Sequence, residues 1–119
     1  MKIEIGPYIK DGDDGDRNVS VIIDDYDVWN LDHTLALIIA PALKKLKEIG
    51  QGSPAVYDND LPENLRDEDV HAKWAWILDE MIFAFEVYSN SPWDVAEDNA
   101  ARIINGMRLF GKYFMNLWD

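Results

Sequence analysis

The chain has no cysteine among its 119 residues, which removes disulfides, thiolate metal sites and cysteine nucleophiles from consideration. It also lacks a long apolar run. No stretch approaches the ~18 residues of a membrane span, and the opening MKIEIGPYIK has no apolar segment of the kind a secretion signal needs, so a cytoplasmic protein is expected. Bases are scarce: 11 Lys and Arg stand against 23 Asp and Glu, for a formal net charge of -12. So few cations displace little of a polyanion's counterion atmosphere, and direct binding to nucleic acid or to an anionic membrane is not expected. Missing too are the GxSxG elbow, the P-loop, HExxH and the Rossmann fingerprint. The expectation is a protein without catalytic residues, resident metal or cofactor.

What is present describes a folded chain. Hydrophobic residues make up 48% of it, and five Trp, five Tyr and four Phe supply more large rigid side chains than one small core needs. A single domain over 1–119 is expected, with surplus apolar surface turned to a ligand pocket or to another subunit of a homo-oligomer. KIEIGPYI (2–9) and NVSVIID (18–24) carry β-favouring residues on either side of the turn-forming run DGDDGDR. Together they predict an antiparallel hairpin over 2–24, with Gly6-Pro7 marking an edge or a bulge.

Three helices are expected to follow. The first, about 32–49, is capped by Asp32 or by Asn30 and runs through LALIIAPALKKLKEI to a stop at Gly50. It is apolar nearly all round from 35 to 43, and Pro41 should kink it near Leu37. GQGSPAVYDNDLPENLRDE (50–68) reads as a polar loop and a candidate lid. The second helix, about 69–88, has a core stripe of Val70, Trp74, Ile77, Leu78, Met81, Phe85 and Tyr88, while Trp76, Phe83 and Val87 fall on the opposite side and need cover. The third, about 92–117, is capped by Ser91 with Pro92 at its first position, and its apolar stripe is Ile103, Ile104, Met107, Phe110, Phe114, Leu117 and Trp118. The fold class is therefore α+β and mostly α: an N-terminal β-hairpin packed on a three-helix bundle.

The candidate site lies on this third helix. ARIINGMRLFGKYF (101–114) gathers bases with no acid between them. Arg102, Asn105, Arg108 and Lys112, three or four residues apart, project along one face. Arg supplies forked donors for phosphate, and Asn has both donor and acceptor for a ribose or base. Gly106 and Gly111 would let a flat ligand or another backbone approach closely. Trp29 and Tyr113 are available for stacking, and His33 is a polar neighbour. The alternative is an ordinary solvated helix face whose bases pair with acids elsewhere.

Other charged runs carry less. DGDDGD (11–16) fails the calcium-loop pattern, because Gly15 takes the third ligand place and Ile22 the last. Asp79, Glu80, Glu86, Glu97 and Asp98 bring to mind the acidic helices of all-α nucleotide pyrophosphatases, but neither EExxE nor ExxD is present, so a magnesium-dependent hydrolase is the weakest reading.

DYDVWNLDHTLALIIAPALKKLKE (25–48), WAWILDEMIFAFE (74–86) and RIINGMRLFGKYFMNLWD (102–119) together resemble a small protein family of tailed phages, particularly T4-like marine phages of cyanobacteria and related hosts. The resemblance implies a phage origin, action inside an infected host cell and no catalytic residue to carry over. Small acidic phage proteins often act by stoichiometric binding. Two functions then compete: sequestering a nucleotide-derived anionic small molecule made by a host defence, or inhibiting a host enzyme by protein contact, with DNA mimicry as one form of it.

Overall fold

Strands β1 (Lys2–Ile5) and β2 (Val19–Ile22) pair antiparallel, with Ile3 opposite Val21 and Ile5 opposite Val19. Side chains alternate across a pleated sheet, so these four β-branched residues share one face while Lys2, Glu4, Ser20 and Ile22 share the other. The computed structural model describes residues 1–6, 18–90 and 97–118; the DGDDGDR turn, Pro7 and the expected cap at Ser91-Pro92 lie outside them. Of the first expected strand, 7–9 lie outside the described residues; the second was expected to reach 24 and ends at Ile22, and the Gly6 N–H donates to the Asn18 carbonyl at 2.5 Å.

A short helix that the sequence reading did not separate, α1 (Asp25–Trp29), precedes α2 (Leu31–Ile49). Asp24 caps α1 in a reciprocal box with Asp27, each side chain accepting the other's backbone N–H. The caps expected for α2 are used differently. Asn30 occupies the cap position without a side-chain bond, and the Asp32 carboxylate accepts from the N–H of His33. Helix α2 carries Pro41 within its span and ends at Gly50, whose N–H donates to the Leu46 carbonyl. Asp69 caps α3 (Val70–Asn90) by accepting from the Ala72 N–H. Helix α4 spans Glu97–Lys112 and is followed by a single 3₁₀ turn, Phe114–Asn116.

The three long helices pack together, with α3 between α2 and α4. Ala36, Ala40 and Leu43 of α2, Trp74, Ile77, Leu78 and Met81 of α3, and Leu109 and Tyr113 from α4 and its end form the core. The small residues of α2 admit the large side chains of α3 between the helices. Gly106 decides how α4 approaches: a β-carbon there would lie 2.4 Å from the Glu80 carbonyl oxygen and 2.6 Å from the Ala84 β-carbon. Nothing comes within 4 Å of such an atom at Gly111. One glycine thus admits helix α3, and the other faces open space.

This close approach corrects part of the expected stripe of α4, of which Ile103, Met107, Phe110 and Leu117 do lie in or against the core. Ile103, Gly106, Leu109 and Tyr113 are buried, whereas Ile104, Phe114 and Trp118 are exposed. The line of contact follows the glycine and not the heaviest hydrophobic residues. The expected core of α3 is largely present, with Val70 exposed and Glu80 and Ala84 buried. Trp76 packs against the core edge, and the Arg102 guanidinium covers the Phe83 ring at 3.6 Å. No helix among the described residues is long and apolar enough to cross a membrane.

The segment 50–68 is built into the molecule and not free as a lid. It turns through two 3₁₀ turns, Asp58–Asp60 and Glu63–Leu65, and buries Asp60 and Leu61, while Val56 packs against the core.

Candidate functional site

The bases of α4 divide into two groups. Arg102 is bidentate to Glu80 of α3: its Nε lies 3.1 Å from both carboxylate oxygens and one terminal nitrogen lies 2.6 Å from Oε2. Glu80 is buried, and its hydrogen bonds raise the Arg102 guanidinium pKa further against the opposing effect of burial. With Phe83 beneath it, Arg102 fastens α4 to α3 and is removed from the ligand set proposed for the stripe.

Arg108 and Lys112 converge on Asp60, whose side chain is only 3% exposed. A terminal Arg108 nitrogen donates to Oδ1 at 3.0 Å, while the Lys112 ammonium at 2.6 Å and the Tyr113 hydroxyl at 2.6 Å both donate to Oδ2. The Tyr113 oxygen in turn accepts from the Tyr57 N–H at 3.1 Å. Asn105 Oδ1 accepts from Arg108 Nε at 3.0 Å, so the asparagine orients the arginine. Burial pushes the Asp60 carboxyl up, but the bonds from Lys112, Tyr113 and Arg108 outweigh it and hold the pKa below the ordinary carboxylate value. Burial first, and then donation to Asp60, push the Tyr113 hydroxyl up to about 12.

The buried carboxylate does not use up both cations. Two positive groups share one negative charge, and about half of the Arg108 side chain and a third of that of Lys112 remain exposed. The outer side of the cluster opens into a groove of about 420 Å³ lined by Ala55, Val56, Tyr57, Lys112, Tyr113 and Asn116. The Lys112 ammonium lies 4.5 Å from the centre of the Tyr57 ring, a cation–π distance, and Tyr57 is 67% exposed. The arrangement offers one uncompensated positive charge with free donors, an aromatic face and an amide, in a volume suited to a small organic anion.

The other expected residues lie elsewhere. Tyr113 is buried edge-on to Trp74, with ring centres 5.9 Å apart, and has no free face for stacking. Trp29 is 80% exposed on α1. His33 Nε2 lies 2.8 Å from the Ser89 carbonyl oxygen, near the end of α3 remote from Trp74. Trp74 and Ser89 are separated by roughly 22 Å of helix at 1.5 Å per residue, so Trp29 and His33 cannot share a ligand with Lys112.

Sequence reasoning missed Asp60 and Tyr57, and it named Glu80 only among the acids of a hydrolase reading, not as the partner of Arg102. The signal for Asp60 was the placing of Val56 and Leu61 around it, apolar residues that a free polar loop does not need. It also missed Ser53, whose hydroxyl lies 2.8 Å from His71 Nδ1. No carboxylate is bonded to the far side of that ring among the described residues, and the pair serves to clasp the loop to α3. Nor do three or more His, Asp or Glu side chains gather there in a metal-binding group.

Comparison with protein-family models, with curated proteins and with solved structures yields no match to this chain.

Proposed function

We propose that the protein is a non-enzymatic binding protein that takes an anionic, nucleotide-class small molecule in the groove beside Lys112 and sequesters it. The supporting observation is that Arg108, half exposed, and Lys112, a third exposed, share one buried carboxylate, with the exposed Tyr57 ring beside Lys112. A phosphate at the Lys112 end of the groove meets donors of that ammonium and reaches toward Arg108, which shares Asp60 with it outside the groove lining; neither bond to Asp60 need break, because each cation retains N–H groups beyond those it shares. The base stacks on the free face of Tyr57, a role first given to Trp29 or Tyr113, and Asn116 is placed for the ribose or base edge. Asn105 acts by positioning Arg108. The resemblance to tailed-phage proteins supplies the setting, a counter-defence sponge in the cytoplasm of an infected cell.

The test is thermal melting and calorimetry with nucleoside mono-, di- and cyclic phosphates and with inorganic phosphate. A member of the panel is expected to raise the melting temperature at millimolar concentration. Arg108→Ala and Tyr57→Ala should each weaken its binding about tenfold or more, about 1.4 kcal/mol, whereas Arg102→Ala should lower stability and leave affinity unchanged. If no nucleotide in the panel shifts the melting curve, the reading fails.

A further inference from the structure

The described part of the chain exposes twenty large apolar side chains, and thirteen of them lie between Ile3 and Ile38, on the hairpin, α1 and the first half of α2. The hairpin is held to the helices at one end: the Met1 ammonium lies 2.7 Å from an Asp27 carboxylate oxygen, and every residue of both strands is exposed. A two-stranded hairpin is at best marginally stable in water, and it needs a cover for its apolar face. The described residues leave that face exposed, although they carry a surface of the same kind.

Two grooves of that surface meet at Ile38. A groove of about 420 Å³ runs between Ile3, Tyr26, Leu37 and Ile38. At Ile38 it meets a second groove of about 270 Å³ bounded by Ala42, Leu46, Phe110 and Leu117, all apolar. The exposed large residues of the ridge and grooves, Ile3, Ile5, Val19, Val21, Tyr26, Leu37 and Ile38, each show roughly half of a side chain of ~150–200 Å² and together present on the order of 600 Å². This stands at the top of the range for the largest apolar patch of a typical monomer, ~300–600 Å², and the partly buried lining of the second groove, including Leu46, Phe110 and Leu117, brings it toward the ~800 Å² per partner of a stable complex.

We propose that two copies of the chain associate through this shoulder, the apolar face of one hairpin lying over the α2 grooves of the other. The choice of a second copy rests on shape and charge. A two-fold contact requires both halves of the fit on one molecule, and this chain carries the ridge of Ile3, Ile5, Val19 and Val21 together with the grooves. Two chains of net charge -12 repel each other, so they can join only where neither presents unpaired acids. The ridge has no charged residue, and the carboxylate lining the first groove, Asp27, is bonded to an ammonium.

Light scattering coupled to size exclusion, on the full chain at about 10–100 µM, tests the proposal. The expected mass is twice 13.7 kDa. Val21→Glu and Leu37→Glu, at sites about half exposed in the single chain, should each weaken the dimer at least tenfold while leaving the helical circular dichroism unchanged. Ile104→Glu, on the exposed side of α4, should leave the mass at that of the dimer. A monomeric wild-type protein overturns the proposal, whether or not another protein docks there, and so does a dimer indifferent to both shoulder substitutions.

Discussion

Asp60 holds two properties that one substitution separates. Its carboxylate is buried under Arg108, Lys112 and Tyr113, so it ties the 3₁₀ turn at Asp58–Asp60 to the end of α4. It also cancels one of the two positive charges at the groove. Asparagine has nearly the same shape, still accepts from Tyr113 and cannot balance a cation. Asp60→Asn is therefore expected to cost about 2 kcal/mol, the scale of a buried hydrogen bond to a charged partner, read as a lower urea midpoint at unchanged slope. The same change should raise the affinity for an anionic ligand severalfold, because the groove gains a full uncompensated charge. Arg108 and Lys112 serving only to anchor the loop would produce the loss of stability without the gain in binding, and calorimetry with the nucleotide panel separates the two cases.

At the scale of elements, the two glycines of α4 make opposite forecasts. Gly106 faces the Glu80 carbonyl and Ala84 at distances no β-carbon tolerates. Gly106→Ala must push α4 off α3 and strain the Arg102–Glu80 pair beside it, at about 1–3 kcal/mol for overpacking. Gly111 has open space around it, so Gly111→Ala should stabilise the helix by about 0.5–1 kcal/mol. Denaturant melts of the two variants check both signs. The glycines also mark where the sequence was legible and where it was not. Helical spacing located α2 and α3 nearly to their ends and placed most of the α3 core, because periodicity records which face meets neighbours. On α4 it placed Ile103, Met107, Phe110 and Leu117 in or against the core but misplaced the rest of the stripe, since Ile104 and Phe114 outweigh Leu109 and Tyr113 in hydrophobicity while the backbone approach at Gly106 turns the latter pair inward. Of the candidate site, Arg108, Lys112 and Asn105 were legible from spacing alone. Their partner Asp60 was not, being 48 residues from Arg108 in the chain, in a segment whose composition signals a loop whether or not it is anchored.

For the whole molecule, the balance of charges makes salt the informative variable. The ion pairs of the fold favour low salt. Those between exposed groups, such as Lys44–Glu86 and Lys47–Asp79, contribute roughly 0–1 kcal/mol each, and the less exposed clusters around Asp60 and Glu80 are screened little. Opposing them is self-repulsion from a net charge of -12 spread over a molecule 44 × 42 × 19 Å. Most of its charges lie beyond the ~8 Å Debye length of physiological ionic strength, and well within the ~30 Å reached at 0.01 M. Raising sodium chloride from about 0.01 to 0.3 M should therefore raise the melting temperature by several degrees as long-range repulsion is screened and the close pairs persist. The rise should grow with protein concentration if the same screening lets two acidic copies meet at the shoulder, because association stabilises the folded state by mass action. A melting temperature that falls with salt would mean that the exposed ion pairs outweigh the repulsion. A rise identical at dilute and concentrated protein would assign the effect to the single chain alone.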